Sequence, residues 1–151
     1  MFQEYKSKSE LPHTYGKLLE EAISATASSY APYSGFNVGA AVLMENGQVV
    51  TGSNQENSSY PSGLCAERVA LFSAHHRYPD IPVIAIAIAA KCEGKVTPDP
   101  VYPCGACVQV MVESQKRGGQ QIKVIMGSAG RIQSVDSVEE LLPYSFSSIP
   151  E

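Results

Sequence analysis

The stretch Val83-Ile84-Ala85-Ile86-Ala87-Ile88-Ala89 is almost wholly apolar. A strand with one wet face alternates apolar and polar residues, so a run that is apolar at every position must be covered on both faces. Such a strand belongs at the centre of a sheet with a helix layer on either side. Downstream, a loop over residues 93–103 holds three prolines, and residues 104–115 follow as a helix with Val108, Met111 and Val112 on its apolar side. Gly118-Gly119 ends that helix. Residues 122–126 and 132–135 read as strands around a Gly127-Ser128-Ala129-Gly130 turn. A brief helix over 137–142 stops at Pro143, which cannot continue it.

Upstream, Leu64, Ala66, Val69, Ala70, Phe72 and Ala74 predict a helix to about His76, preceded by a polar loop over 54–63. Val38, Ala40, Val42 and Met44 recur at period two. With the Glu45-Asn46-Gly47 turn and the return strand 48–52 they make a hairpin. Residues 29–35 are a Ser/Tyr/Pro/Gly loop, and residues 15–28 a helix carrying Leu18, Leu19, Ala22, Ile23 and Ala27 at helical spacing. Residues 1–12 are polar and read as a loose N-terminal arm or a short edge element. The order predicts an α/β protein: a three-layer α/β/α sandwich around a mixed five-stranded sheet, with residues 1–151 forming one domain.

The chain has 151 residues, of which 44% are hydrophobic, enough for a sizeable core. Its formal net charge is -4, and the densest basic stretch is Lys116-Arg117. A polynucleotide partner normally needs a basic surface to follow its phosphates, so no nucleic acid is expected and a small, weakly charged substrate fits better. The longest apolar run, 81–90, is too short for a bilayer and contains Pro82, so no membrane association is expected. The first eight residues lack an apolar signal core, and a cytoplasmic location is expected.

Chemistry concentrates in two short segments, Cys65-Ala66-Glu67 and Pro103-Cys104-Gly105-Ala106-Cys107. Cys104 and Cys107, three apart at a helix start, share a face. Helix N-terminal N–H groups favour thiolates there. Alone, the pair would fit a redox couple or a structural half-site equally well. Cys65, at the start of the other helix, can close a third vertex. Three thiolates leave tetrahedral zinc one open position, and an open position beside a proton carrier is what hydrolysis by a metal-activated water requires. Glu67, two residues past Cys65, can be that carrier; the blander reading is a solvent-facing first-turn acid. Three thiolates exceed the charge of one zinc by one unit. Arg68 could offset the excess through donors to sulfur, or make only a surface ion pair. Cys92 is left as a structural or surface thiol, although its spacing from Cys104 does not exclude it as a ligand. A structural site of all four cysteines would leave Glu67 without a role.

Cys-x-Glu followed by Pro-Cys-x-x-Cys is the signature of zinc deaminases, and the chain resembles the small homotetrameric cytidine deaminases. The resemblance runs from Tyr15 to Phe146. It includes residues 29–41 (Ser-Tyr-Ala-Pro-Tyr-Ser-Gly-Phe-Asn-Val-Gly-Ala-Ala), 52–57 (Gly-Ser-Asn-Gln-Glu-Asn), 60–68 (Tyr-Pro-Ser-Gly-Leu-Cys-Ala-Glu-Arg), 103–107 and 140–146 (Glu-Leu-Leu-Pro-Tyr-Ser-Phe). It implies one zinc per subunit on Cys65, Cys104 and Cys107, with Glu67 shuttling protons and Arg68 neutralising thiolate charge. It assigns Asn54 and Glu56 to the sugar, Phe36 and Phe146 to packing on the nucleoside, Phe146 across a subunit boundary, Tyr60 to a pocket shared between subunits, and Ala66 to the substrate. Read without the resemblance, Phe36 could be core, Asn54 and Glu56 ordinary loop residues, Phe146 a seal on the fold, and Tyr30 and Tyr33 packing residues of their loop. In one respect the chain departs from the family. An arginine usually follows the last zinc cysteine, and here Val108 stands there, which implies a lost charge near the site or a subunit contact.

The function implied is hydrolytic deamination of cytidine and 2'-deoxycytidine. Two other readings compete: deamination of a modified cytosine nucleoside such as an aminoacyl-nucleoside antibiotic, and a non-catalytic zinc-binding module. The Asn54-x-Glu56 loop favours an ordinary ribose or deoxyribose over the antibiotic. A polynucleotide-editing deaminase fits poorly, for want of a basic surface.

Overall fold

The computed structural model describes residues 1–150. Its strands are β1 (Gln3–Tyr5), β2 (Phe36–Met44), β3 (Val49–Ser53), β4 (Val83–Cys92), β5 (Lys95–Val96), β6 (Lys123–Met126) and β7 (Ile132–Val135). Its α-helices are α1 (His13–Ala25), α2 (Ala66–Arg77) and α3 (Gly105–Gly118). The sheet order is β1-β7-β6-β4-β2-β3, with β5 paired to β4. Only β4 and β6, of the described pairs, run parallel; the others are antiparallel, so the sheet is mixed.

The apolar run at β4 does what its composition demands. Ala85, Ala87 and Ala89 face α1, in a core with Leu18, Leu19, Ala22, Ala41 and Leu43. Val83, Ile86 and Ile88 face the other way, into a core with Ala70, Leu71, Met111 and Val112 of α2 and α3. The three-layer α/β/α sandwich is therefore present.

The sheet has seven strands rather than five. The two additions are short: β1 lies on the β7 edge in the register Gln3↔Ser134 to Tyr5↔Ile132, and β5 folds back on the end of β4. Residues 3–5 thus form the edge element, not a loose arm. Both strands are held by ladder bonds on otherwise polar segments, so neither leaves an apolar pattern in the sequence. The brief helix expected over 137–142 is a single 3-10 turn, Val138–Glu140. Gly119, in the left-handed region at φ 66°, closes α3. No described helix is long and apolar enough to cross a membrane.

The topology fixes where the site forms. β2 is antiparallel to both β3 and β4, so those two strands run in the same direction on either side of it. The chain leaves β3 and β4 at one edge of the sheet, and the helices that follow, α2 and α3, begin there. The start of β2 lies at that same edge, with Phe36 opposite Cys92 and Gly39 opposite Ser53.

Close approach of α2 to the sheet depends on Gly52. A Cβ there would stand 2.5 Å from the Ala70 amide nitrogen and 2.8 Å from the Ala66 carbonyl oxygen, both rigid backbone atoms. Gly52→Ala is expected to lower unfolding free energy by about 3 kcal/mol or more, at the upper end of overpacking costs, as read from urea denaturation. An unchanged midpoint would mean that α2 is free to move off the sheet.

Candidate active site

Cys65 is the N-cap of α2 and Cys104 the N-cap of α3, both with extended backbone. Cys107 sits buried in the first turn of α3. The three sulfurs lie within 4.8 Å of one another, Cys65–Cys104 at 3.8 Å and Cys104–Cys107 at 3.5 Å. Sulfurs bound tetrahedrally to one zinc at about 2.3 Å stand about 3.8 Å apart, so this spacing fits the metal. Cys92 is exposed at the end of β4 and outside the cluster.

The charge distribution also suits a cation. Hydrogen bonding with the Cys107 thiol, then with Arg68, pulls the Cys65 thiol down to about 5. The same pairing, together with burial, pushes the Cys107 thiol up. Zinc takes cysteine as thiolate, so binding would release the protons that the cluster holds. Arg68 Nη2 donates to Cys65 Sγ at 3.5 Å, and that bond holds its guanidinium above the ordinary arginine range. Arg68 is therefore engaged with a ligand sulfur, not with a surface carboxylate.

Glu67 is 4% exposed, which removes the solvent-facing reading. Burial, with the negative Cys65 as a lesser cause, pushes its carboxyl up to about 7. A carboxyl balanced near neutrality can both accept and give a proton. Ala66, fully buried between Cys65 and Glu67, begins α2.

A cleft of about 490 Å³ opens beside the sulfurs, lined among others by Tyr33, Asn54, Glu56, Tyr60, Cys65 and Arg68. Its walls are built by polar bonds between the loop 29–35 and the segment after β3. Asn54 Nδ2 donates to the Phe36 carbonyl at 2.8 Å, while its Oδ1 accepts from the Val38 amide at 2.9 Å and from the Ser29 hydroxyl. Glu56 accepts from the amides of Tyr33 and Ser34 at 3.0 and 3.1 Å and from the Ser34 hydroxyl at 2.6 Å. Those donors, the Ser34 hydroxyl foremost, hold its carboxyl below the usual carboxylate range. Tyr33 and Tyr60 meet edge to face at 5.7 Å over the cleft.

Phe36 is half-buried at the start of β2, on the same sheet edge. Phe146 does not line the cleft. It is 67% exposed near α3, where Gln109 donates to its carbonyl at 2.6 Å. Tyr33, read from the sequence as packing, is half exposed and lines the cleft with Ser34. The signal for both was positional: the loop they occupy runs straight into β2, whose ladder with β3 sets it beside Asn54. Val108 is 4% exposed and packs in the core under α2 and α3.

A buried acid beside a three-sulfur cluster with a cleft at its side defines a zinc hydrolase on an α/β/α scaffold. Residues 12–120 match the model of the cytidine and deoxycytidylate deaminase zinc-binding region. A cytidine deaminase of Halalkalibacterium halodurans is 47% identical over 130 residues, 85% of this chain and 91% of that one. One of Mycobacterium tuberculosis is 40% identical over 110 residues, 73% and 76% of the two chains. The crystal structure of cytidine deaminase from Burkholderia pseudomallei superposes with a TM-score of 0.76 at 39% identity, covering 90% of this chain and all (100%) of that one. The chain belongs to the cytidine and deoxycytidylate deaminase family, whose matched region is zinc-binding, and its three-cysteine cluster could bind one zinc.

Proposed function

We propose that this protein hydrolyses the exocyclic amine from C4 of cytidine and 2'-deoxycytidine, giving uridine or 2'-deoxyuridine and ammonia in cytoplasmic pyrimidine salvage. The observation that carries the reading is the buried Glu67 carboxyl set beside Cys65, Cys104 and Cys107. Cys65, Cys104 and Cys107 would hold one zinc per subunit, which when bound supplies a water activated for attack at neutral pH. Glu67 would accept a proton from the attacking water and deliver it to the ring nitrogen next to C4. It then carries the second proton to the departing amine, so one carboxyl serves both directions. Arg68 offsets the thiolate charge that would otherwise oppose loss of the water's proton.

The sugar is assigned to the cleft. Asn54 keeps one amide hydrogen beyond its bond to Phe36, and Glu56 keeps carboxylate lone-pair capacity beyond its three donors. Phe36 packs on the nucleoside from the strand side, and Ala66 offers small, close backbone at the start of α2. Asn54 and Glu56, each with three side-chain hydrogen bonds, arrive pre-ordered, which lowers the entropy lost on binding.

Glu67→Gln is expected to retain zinc and fold while losing about 10²–10⁴-fold in turnover of cytidine, the usual range for removing general acid–base catalysis. An ultraviolet assay with metal analysis of the same sample reads both. Activity within a few-fold of the parent at full zinc occupancy would remove Glu67 from the mechanism.

Glu56→Gln keeps the side-chain shape but not the charge. Its kcat/KM for cytidine should fall about tenfold, the worth of one charged hydrogen bond. Free cytosine, with no sugar to hold, should be a poor substrate for both proteins and should respond far less. Equal losses on the two compounds would leave Glu56 as a brace for the Tyr33-Ser34 loop alone.

The working unit is proposed to be a homotetramer with D2 symmetry. Phe146 stands apart from the cleft of its own chain, and Tyr60, 73% exposed, faces outward at the cleft rim. Both dispositions suit a site completed by a neighbour. Light scattering at assay concentration should give the mass of about four chains. A fully active monomer would refute the shared site.

A further inference from the structure

α2 and α3 lie side by side and point the same way. Their N-caps meet at Cys65 and Cys104, and their last turns meet where His75 Nε2 and Ser114 Oγ stand 2.7 Å apart. His75 is ten residues past Cys65 and Ser114 ten past Cys104. At 1.5 Å per residue both lie about 15 Å from the metal end. A second link joins the same region: Arg117 donates to the Pro79 carbonyl at 3.3 Å, just beyond the end of α2.

Between the two ends the helices share an apolar core. Leu71, one turn before His75 on the same face of α2, shares one apolar core with Cys107 and Met111, which lie on the Ser114 face of α3. Burial of such surface is non-directional, so it resists separation of the helices better than it resists sliding. A hydrogen bond is directional. A slide of one residue, about 1.5 Å, would break the His75–Ser114 bond and carry Cys65 out of reach of a shared metal.

The pair is also costly to keep. Ser114 is 1% exposed, and His75 Nδ1 is buried with no partner among the described residues. Burial, and then Arg117, keep the His75 ring below its ordinary titration range and hence neutral at physiological pH. An apolar pair would fill the same space without an unmatched nitrogen.

We propose that His75 and Ser114 are positioning residues: their bond sets the register of α2 against α3 and thereby preorganises Cys65 against Cys104 and Cys107 for zinc. The inference rests on the zinc site and not on the identity of the substrate. Its test is the rate at which zinc passes from the holoprotein to a chromophoric chelator, read without substrate, beside the urea midpoint of the zinc-free protein.

Ser114→Thr and Ser114→Val add the same bulk, and only the first keeps the hydroxyl. The valine variant should release zinc about fivefold or more faster than the threonine variant, the equivalent of one net hydrogen bond. His75→Leu combined with Ser114→Ala removes both polar partners. It should hold the zinc-free midpoint at or above that of the parent while still releasing zinc faster. Equal release from the valine and threonine variants would overturn the proposal. So would release from the double variant at the parental rate with the midpoint unchanged, since the pair would then be only part of the packing.

Discussion

Three sulfurs held within 4.8 Å of one another repel as they ionise, and the rest of this structure is arranged around that constraint. Cys65 and Cys104 cap helices whose N-terminal amides favour negative charge. Arg68 reaches Cys65 from the first turn of α2. Delivery of two helix starts to one point follows in turn from β2 being antiparallel to both β3 and β4. Had either helix followed a strand of the opposite direction, its N-terminus would lie at the far edge of the sheet.

The residues proposed for the sugar already serve the fold. Asn54 continues the β2 edge as an additional ladder rung, taking the Val38 amide and giving to the Phe36 carbonyl. Glu56 gathers three donors from one loop. Each is thus fixed before any ligand arrives, and each would be missed as a structural residue by reading only its loop. The same bonds mean that truncating either side chain disturbs the cleft wall as well as a contact, which is why a shape-preserving replacement is the informative one for Glu56.

The layered fold was legible because β4 has no polar face and because helix and strand periods are clean through residues 15–135. β5 was not, and β1 only as one of two readings of the N-terminal segment, since short edge strands are held by backbone bonds and carry no apolar pattern. In the site, the three clustered cysteines and Glu67 stood out by residue type and spacing. Tyr33 and Ser34 did not, because their relation to the cleft comes from β2–β3 pairing across twenty residues of chain. His75 and Ser114 were equally hidden, on helices 39 residues apart in sequence, with nothing but their equal distance from two cysteines to connect them.

Val108 bears on the same charge balance. It is buried among Val112, Met111 and the alanines of α2, so a charged side chain there would have to leave the core or displace it. One zinc with three thiolates would carry one net negative charge, and Arg68, bonded to Cys65, is placed to offset it. With valine at 108, that offset depends on a single guanidinium whose Nε is itself buried without a partner among the described residues. In the metal-free chain, burial, more than repulsion by Cys65, raises the Glu67 carboxyl.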